Sequence, residues 1–181
     1  MKLQDLPFKS KLASAEQNGL KVRKYIQAND SILYLGASSG TTVSYIASMF
    51  NKAIIFAVDL APLMLKQIVI DDLENVIPVL ADANQTQSYA HKIFPMVDVV
   101  YQDVAQKNQL EIFDKNIDLF LRPTGYGMLA VKSRSIDTTK HPKEIFKIVE
   151  KHLKDKYKIL ERINIHKFQK DHMFYVIQKV N

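Results

Sequence analysis

The sequence predicts a single α/β domain: a seven-stranded, mostly parallel sheet with its last strand antiparallel and with helices on both faces. Five short runs rich in valine, isoleucine and leucine alternate with segments of helical period, as expected where helices cover both faces of a parallel sheet. Two more strand-like runs close the chain, and the seven residues between them are too few for a helical crossover. The length of 181 residues suits one domain.

Apolar runs in the sequence predict the positions of the strands of this sheet. The first run ends at the glycine of "SILYLG", and the second and third, "AIIFAVD" and "VIPVLAD", each end at an aspartate. We assign strands to residues 31–36, 53–59, 76–82, 97–103, 127–133, 157–165 and 173–180. They form a sheet core over 31–181, which a helical segment over 1–30 precedes within the same domain.

Apolar residues that recur every three or four positions predict four helices. The first begins near Ser10, a plausible N-cap, and ends by Gly19. The others carry apolar stripes at Val43, Ile46, Ala47 and Phe50; at Leu110, Phe113, Ile117 and Leu121; and at Ile145, Ile148, Val149 and either His152 or Leu153. The last of them opens with Pro142, which suits a first helical turn.

Charge is distributed unevenly along a chain whose net charge is +6. Residues 1–24 carry six Lys or Arg against two acids, residues 25–131 carry six against eleven, and residues 132–172 carry twelve against six. This pattern predicts a polyanion-binding surface from the two basic regions, beside an acidic pocket that suits a cationic ligand. A solvated, lysine-rich helix face is the alternative explanation for part of it.

Composition excludes several kinds of protein. The chain has no cysteine, which excludes disulfides, thiolate metal sites and cysteine nucleophiles and fits a cytoplasmic location. No apolar run approaches the roughly 20 residues of a membrane span, so we expect no membrane association through such a helix. No His–His or His–Glu pair stands at ligand spacing within one element, and no metal site is predicted.

The turn in "LYLGASSGTTVS", residues 33–44, leads from a strand into a helix and can hold a phosphate, a dinucleotide or S-adenosylmethionine. A Walker loop requires a lysine that this turn lacks. A dinucleotide fingerprint requires Gly-x-Gly-x-x-Gly, whereas Gly36 and Gly40 are four positions apart. Both phosphate-binding motifs therefore fit poorly.

Acids at strand ends favour S-adenosylmethionine instead. Asp59, Asp82 and Asp103 follow three successive strands, so they are expected at the carboxyl edge of the sheet, where such folds bind ligands. This rim would repel a pyrophosphate and attract a sulfonium and an ammonium. Five strand–helix units with a terminal strand pair are also the layout of the Rossmann-like class I S-adenosylmethionine-dependent methyltransferases, which is the fold we predict.

Five segments carry a more specific pattern. They are "PFKSKLASA" at 7–15, "LYLGASSGTTVS" at 33–44, "VDVVYQDVAQ" at 97–106, "VKSRSIDTT" at 131–139 and "DHMFYVI" at 171–177. Together they resemble the fibrillarin family, the 2′-O-methyltransferases of box C/D ribonucleoproteins, in its short archaeal form. The resemblance runs from about Pro7 to the end of the chain.

The resemblance implies a catalytic group of two lysines, an aspartate and a histidine. Its members here are Lys11, Asp103, Lys132 and His172. It also implies S-adenosylmethionine contacts from Gly36, Ala37, Thr41, Thr42, Asp59, Leu60, Asp82, Ala83, Asp103, Val104, Ala105 and Gln106. The remaining histidines stand in no such motif, and we assign them no role: His91, His141, His152 and His166.

The chemistry of ribose methylation agrees with this catalytic group. A 2′-hydroxyl is a weak acid and a poor nucleophile, so the enzyme must align it and accept its proton. A lysine at a strand end can accept that proton where partial burial and a neighbouring positive charge favour its neutral form. Lys132 has this position and Lys11 could supply the charge, while Asp103 would orient Lys132 and the methyl donor and His172 would orient the ribose or screen its phosphate.

The resemblance also implies partners. These are a box C/D guide RNA that pairs with the target rRNA or tRNA, a scaffold protein with a Nop domain, and a kink-turn-binding protein. The basic residues of 132–172 and the N-terminal lysines would contact RNA backbone. Two other functions stay open: a free-standing small-molecule O-methyltransferase, and a non-catalytic assembly subunit.

The sequence departs from the family pattern in two places. Only six residues precede Pro7, so we expect the family's N-terminal β-rich segment to be absent or much reduced, together with contacts made through it. Asp59 stands where the family usually has glutamate, which shortens the side chain by one methylene and keeps the carboxylate.

Overall fold

The computed structural model describes residues 6–179. Its strands are β1 Ser31–Leu35, β2 Ile54–Asp59, β3 Val76–Leu80, β4 Val97–Gln102, β5 Leu121–Lys132, β6 Tyr157–Asn164 and β7 His172–Lys179. Its α-helices are α1 Leu6–Lys9, α2 Lys11–Gln17, α3 Thr41–Met49, α4 Pro62–Asp71, α5 Thr86–Tyr89, α6 Gln109–Phe120, α7 Ser133–Ile136 and α8 Pro142–Lys156. Short 3₁₀ turns lie at 22–24 and 90–92.

The strands of the described residues form one sheet in the order β3-β2-β1-β4-β5-β7-β6. The first five strands pair in parallel, and β7 runs antiparallel to both β5 and β6. The seven-stranded, mostly parallel sheet with an antiparallel last strand is therefore confirmed. Position 180, which we included in the last strand, lies outside the described residues.

Strand alternation sends side chains to two opposite faces of this sheet. The front face is covered by α2, α3 and α4, and its core includes Tyr34, Tyr101, Ala130 and Phe174. The back face is covered by α5, α6 and α8, and its core includes Leu33, Val100, Val131 and Met173. Helices on both faces of the sheet confirm that part of the prediction.

The N-terminal helix begins as the sequence predicts. Ser10 is the N-cap of α2, and its hydroxyl accepts a hydrogen bond from the Ala13 backbone N–H at 3.3 Å. An N-cap of this kind typically contributes about 1 kcal/mol. Leu12 and Ala15 of α2 are fully buried against the front face, which fixes the helix over the sheet.

The β5 strand begins earlier than predicted, directly after α6. Its first part, "LRPTG", reads as a loop because Pro123 and Gly125 interrupt the apolar pattern. The register with β4 shifts between Val97 and Val99, so the strand accommodates these residues at an irregularity. The rest of β5 then runs regularly to Lys132.

The α4 helix, between β2 and β3, was not predicted from the sequence. Apolar residues occur on every side of it, so no helical period stands out, and only Leu65 and Ile68 are buried. No helix among residues 6–179 has the length and apolar character needed to cross a membrane.

Candidate active site

Three of the four predicted catalytic side chains reach the same face of the sheet by strand alternation. Tyr101 and Ala130 belong to the front-face core. Asp103 lies two positions after Tyr101 and Lys132 two after Ala130, so alternation directs both side chains to that face. His172 opposes Lys132 in the β5–β7 register. Cross-strand partners point to the same face, so the two side chains are neighbours at the carboxyl end of β5.

The fourth, Lys11, comes from the first turn of α2. Its Nζ lies 2.8 Å from Oδ2 of Asp103, and both side chains are mostly buried. The partner of Asp103 is thus Lys11, whereas Lys132 is exposed and forms no ion pair among the described residues. This arrangement leaves the Lys132 ammonium free to face a substrate.

The surroundings of His172 join the four residues into one cluster. The side chain is almost fully buried, and its Nδ1 lies 2.6 Å from the Lys170 carbonyl oxygen, which can only accept, so Nδ1 carries the proton. Burial is the main cause that lowers the pKa of His172, and the positive charges of Lys11 and Lys132 lower it further. The Lys170 carbonyl and the Asp103 carboxylate act in the opposite direction.

His172 should therefore make stability dependent on pH. As pH falls below the ordinary histidine pKa of 6.5, the unfolded chain takes up a proton that folded His172 resists, so the free energy of unfolding decreases. His172→Gln, which cannot titrate, should flatten this decrease. Urea unfolding at about pH 7.5 and about pH 5.5 measures the difference between the two chains. Equal losses in both would show that the histidine is not responsible.

An acidic cleft lies beside this cluster at the carboxyl ends of β1, β2, β3 and β4. Its volume is about 290 Å³, near the lower end of the roughly 300–1,000 Å³ of small-ligand sites. Nine of the twelve predicted cofactor residues line it: Gly36, Asp59, Leu60, Asp82, Ala83, Asp103, Val104, Ala105 and Gln106. The three aspartates predicted from strand ends thus meet in one cleft.

Backbone donors fix the carboxylate of Asp59. Oδ2 accepts from the Ser38 N–H at 2.7 Å, and Oδ1 accepts from the Ala61 N–H at 2.8 Å. Each oxygen keeps a further lone pair, so the carboxylate can still accept from a pair of ligand hydroxyls. The orientation of this group is set before any ligand binds.

Gly36 allows β1 and β4 to meet closely at the floor of the cleft. Its φ is +80°, and a Cβ at this position would lie 2.6 Å from the Asp103 carbonyl oxygen. The Gly36 N–H donates to the Val58 carbonyl at 3.0 Å. Glycine at this strand end is thus required both by its backbone angle and by the space available.

The other three predicted cofactor residues do not line the cleft. The Thr42 side chain is buried, and its hydroxyl donates to Ser10 Oγ at 3.0 Å. Thr41 lines a separate depression with Ser44 and Tyr45, and Ala37 is buried in the front-face core. Cofactor contacts from these three residues stay predictions.

Thr42→Val tests whether this threonine binds the cofactor or supports α2. The substitution keeps the shape and removes the hydroxyl, so we expect the free energy of unfolding to fall by about 1 kcal/mol. We expect the affinity for S-adenosylmethionine to change by less than about threefold. Thermal unfolding and calorimetric titration measure the two quantities, with Thr124→Val, at an exposed position outside the cleft, as the matched control. A loss of affinity above about tenfold would instead favour a direct contact.

Sequence reasoning missed several residues of the site. Ser38, Val58 and Ala81 line the cleft, and Ser38 adopts a positive φ of 49° that aims its N–H at Asp59. Lys170 orients His172 through its carbonyl group. Serine follows Ala37 in the glycine turn and could have been suspected, but a contact made by a main-chain carbonyl leaves no signal in the sequence.

Comparisons with known proteins agree with this geometry. A family model described as Fibrillarin matches residues 5–181. A fibrillarin-like rRNA/tRNA 2′-O-methyltransferase of Methanocaldococcus jannaschii is 49% identical over 173 residues, which cover 94% of this chain and 74% of that protein.

Two solved structures are also similar. A fibrillarin/Nop5p complex contains a chain that is 36% identical with a TM-score of 0.91, over 96% of this chain and 83% of that one. The fibrillarin of Aeropyrum pernix, in complex with natively bound S-adenosyl-L-methionine, is 35% identical with a TM-score of 0.82, over 96% of this chain and 76% of that one.

Proposed function

The chain belongs to the fibrillarin family, and we propose that it methylates ribose 2′-hydroxyls of rRNA, and also of tRNA, with S-adenosylmethionine. A box C/D guide RNA would choose the nucleotide within a ribonucleoprotein. The observation that carries this proposal is the juxtaposition of Lys11, Asp103, Lys132 and His172 beside an acidic cleft. Relatives named for rRNA/tRNA 2′-O-methylation support the reaction.

The residues of the acidic cleft fit S-adenosylmethionine. This ligand carries a sulfonium and an ammonium, and the carboxylates of Asp59, Asp82 and Asp103 leave the cleft with an excess of negative charge even though Asp103 is paired with Lys11. Asp59, held by two backbone N–H groups, would accept hydrogen bonds from the ribose hydroxyls. When bound, S-adenosylmethionine supplies an activated methyl group. The solved Aeropyrum pernix relative with this ligand supports the assignment.

The cluster beside the cleft would prepare the RNA hydroxyl. Lys132, whose side chain is exposed at the end of β5, would accept the 2′-hydroxyl proton at Nζ. Asp103 would hold Lys11 through their ion pair. His172, whose Nε2 is left with a free lone pair, would accept a hydrogen bond from the ribose and fix its orientation.

A protein partner is supported by an exposed apolar surface. The described sheet ends at β3, and the exposed large side chains of this strand and α4 cluster at that edge. They are Leu63, Met64, Val69, Ile70 and Leu80. Val69 and Leu80 line one depression between α4 and β3, and exposed apolar surface of this kind is typical of interaction sites. A similar structure contains Nop5p, so we propose that a Nop-domain scaffold covers this surface.

Family membership supports a proposal for the remaining partners. We propose that a kink-turn-binding protein and a box C/D guide RNA complete the assembly, with the basic residues of 132–172 near the RNA backbone. Binding to phosphates should weaken as salt increases. The cytoplasmic location stays a prediction from composition.

A guided methylation assay tests the function. The purified chain, radiolabelled S-adenosylmethionine and a target RNA are combined with and without guide RNA, scaffold and kink-turn-binding protein. We expect methyl transfer to one 2′-hydroxyl only in the complete mixture. Transfer without guide and scaffold would contradict guided action, and S-adenosylmethionine binding without transfer to RNA in any mixture would contradict RNA methylation.

A further inference from the structure

A second and larger cavity, of about 620 Å³, lies on the back face of the sheet. We call it the α8 groove, because it runs between the first half of α8, strand β6 and the turn at 165–171. Its lining includes Lys143, Phe146, Lys147, Arg162, Lys170 and Met173. It shares no residue with the acidic cleft.

Positive charge in the α8 groove is not neutralised within the protein. The groove contains two acids, and each is already paired: Asp171 with Arg134 at 3.2 Å, and Glu150 with Arg162. Lys143, Lys147 and Lys170 line the groove and form no ion pair among the described residues. Three uncompensated ammonium groups around one cavity favour an anionic ligand.

The interior of the α8 groove is apolar. Phe146 and Met173 line it and are almost fully buried, and Pro142 lines it near the start of α8. An inorganic anion needs no such surface, whereas a nucleobase gains from contact with aromatic and apolar side chains. The cationic rim and the apolar interior together fit a nucleotide whose phosphate lies at the lysines and whose base lies inside the groove.

The position of the groove connects it with the proposed reaction. Asp171 and Met173 line it and are the direct chain neighbours of His172. Successive residues of a strand face opposite sides, so the groove opens on the back face at the same strand end where His172 faces the front. An RNA strand leaving the active site around this strand end would enter the groove.

We propose that the α8 groove binds an unpaired nucleotide of the RNA strand that carries the target ribose, outside its paired segment. This rests on the proposed function. A base paired with a guide could not enter the cavity, whereas unstacked bases of single strands are the usual objects of such pockets. The groove would thereby add affinity for target RNAs that extend beyond the guide-paired segment.

The experiment compares two target RNAs in the complete guided assay. One is trimmed to the guide-paired segment, and the other carries single-stranded extensions on both sides. For the unaltered chain we expect the extended target to have a KM about tenfold lower or more, since charge-assisted hydrogen bonds to a phosphate have about this effect. An extension made of abasic nucleotides should recover only part of the gain, because the base is missing.

Two charge-reversal variants on α8 distinguish binding in the groove from general electrostatic attraction of the RNA. Lys143→Glu with Lys147→Glu changes the groove, and Lys151→Glu with Lys154→Glu makes the same charge change at exposed positions outside it. We expect the ratio of the two KM values to fall near one in the first variant and to be kept in the second.

Several results would overturn the proposal. They are an equal ratio for both variants, a ratio near one for the unaltered chain, and a gain that appears only when the guide strand is extended. Each of these three outcomes can be measured only if the trimmed target is methylated. Failure of that reaction in the complete mixture would instead contradict the proposed function.

Discussion

Replacing Lys132 by alanine is expected to reduce guided methyl transfer by about 10²–10⁴-fold, the usual contribution of a general base. Lys132 is exposed at the end of β5, opposite His172 and without an ion pair among the described residues, so its Nζ can reach a substrate hydroxyl. It does not line the acidic cleft. The affinity for S-adenosylmethionine should therefore stay within about threefold, as measured by calorimetric titration.

Lys132→Arg is the control that separates proton acceptance from charge. Arginine keeps the positive charge but stays protonated, so it cannot act as a base. We expect it to be nearly as inactive as the alanine variant in single-turnover assays. Substantial activity in the arginine variant would mean that Lys132 acts by its charge alone. Loss of cofactor binding in the alanine variant would place Lys132 in the cofactor site and contradict its role as base.

The sheet could be predicted from sequence because burial on both faces leaves a local signal. Runs such as "ILYL" and "IIFAV" are continuous and apolar, and glycine or aspartate marks their ends. The α4 helix lacked this signal, because its apolar residues surround the helix axis and most remain exposed. Its exposed apolar side chains form a surface that a partner could cover. The sequence pattern of one chain contains no information about such a partner.

The site could be predicted in part for a related reason. Asp59, Asp82 and Asp103 each follow a strand, and parallel strands necessarily bring their carboxyl ends to one edge. The contact between Thr42 and Ser10 joins residues 32 positions apart. The sequence around neither residue predicts this contact. The α8 groove could not be predicted for the same reason, because its unpaired lysines come from α8 and from the turn before β7.

Gly36→Ala should be the most damaging small substitution in the acidic cleft. At a φ of +80° an alanine is strained, and its Cβ would also collide with the Asp103 carbonyl oxygen at 2.6 Å. The collision is with main chain, so β1 or β4 must move. We expect the free energy of unfolding to fall by about 2–4 kcal/mol, and the affinity for S-adenosylmethionine to fall by about tenfold or more because Asp103 lines the cleft.

Gly19→Ala is a matched control that isolates backbone strain. Gly19 also has a positive φ, +103°, but no atom lies within 4 Å of the Cβ that alanine would add. We therefore expect a loss of about 1–2 kcal/mol in unfolding free energy and unchanged cofactor affinity. Urea unfolding and calorimetric titration of both variants give the comparison. If the two substitutions cost the same and both bind S-adenosylmethionine normally, the close approach of Gly36 to Asp103 does not shape the cleft.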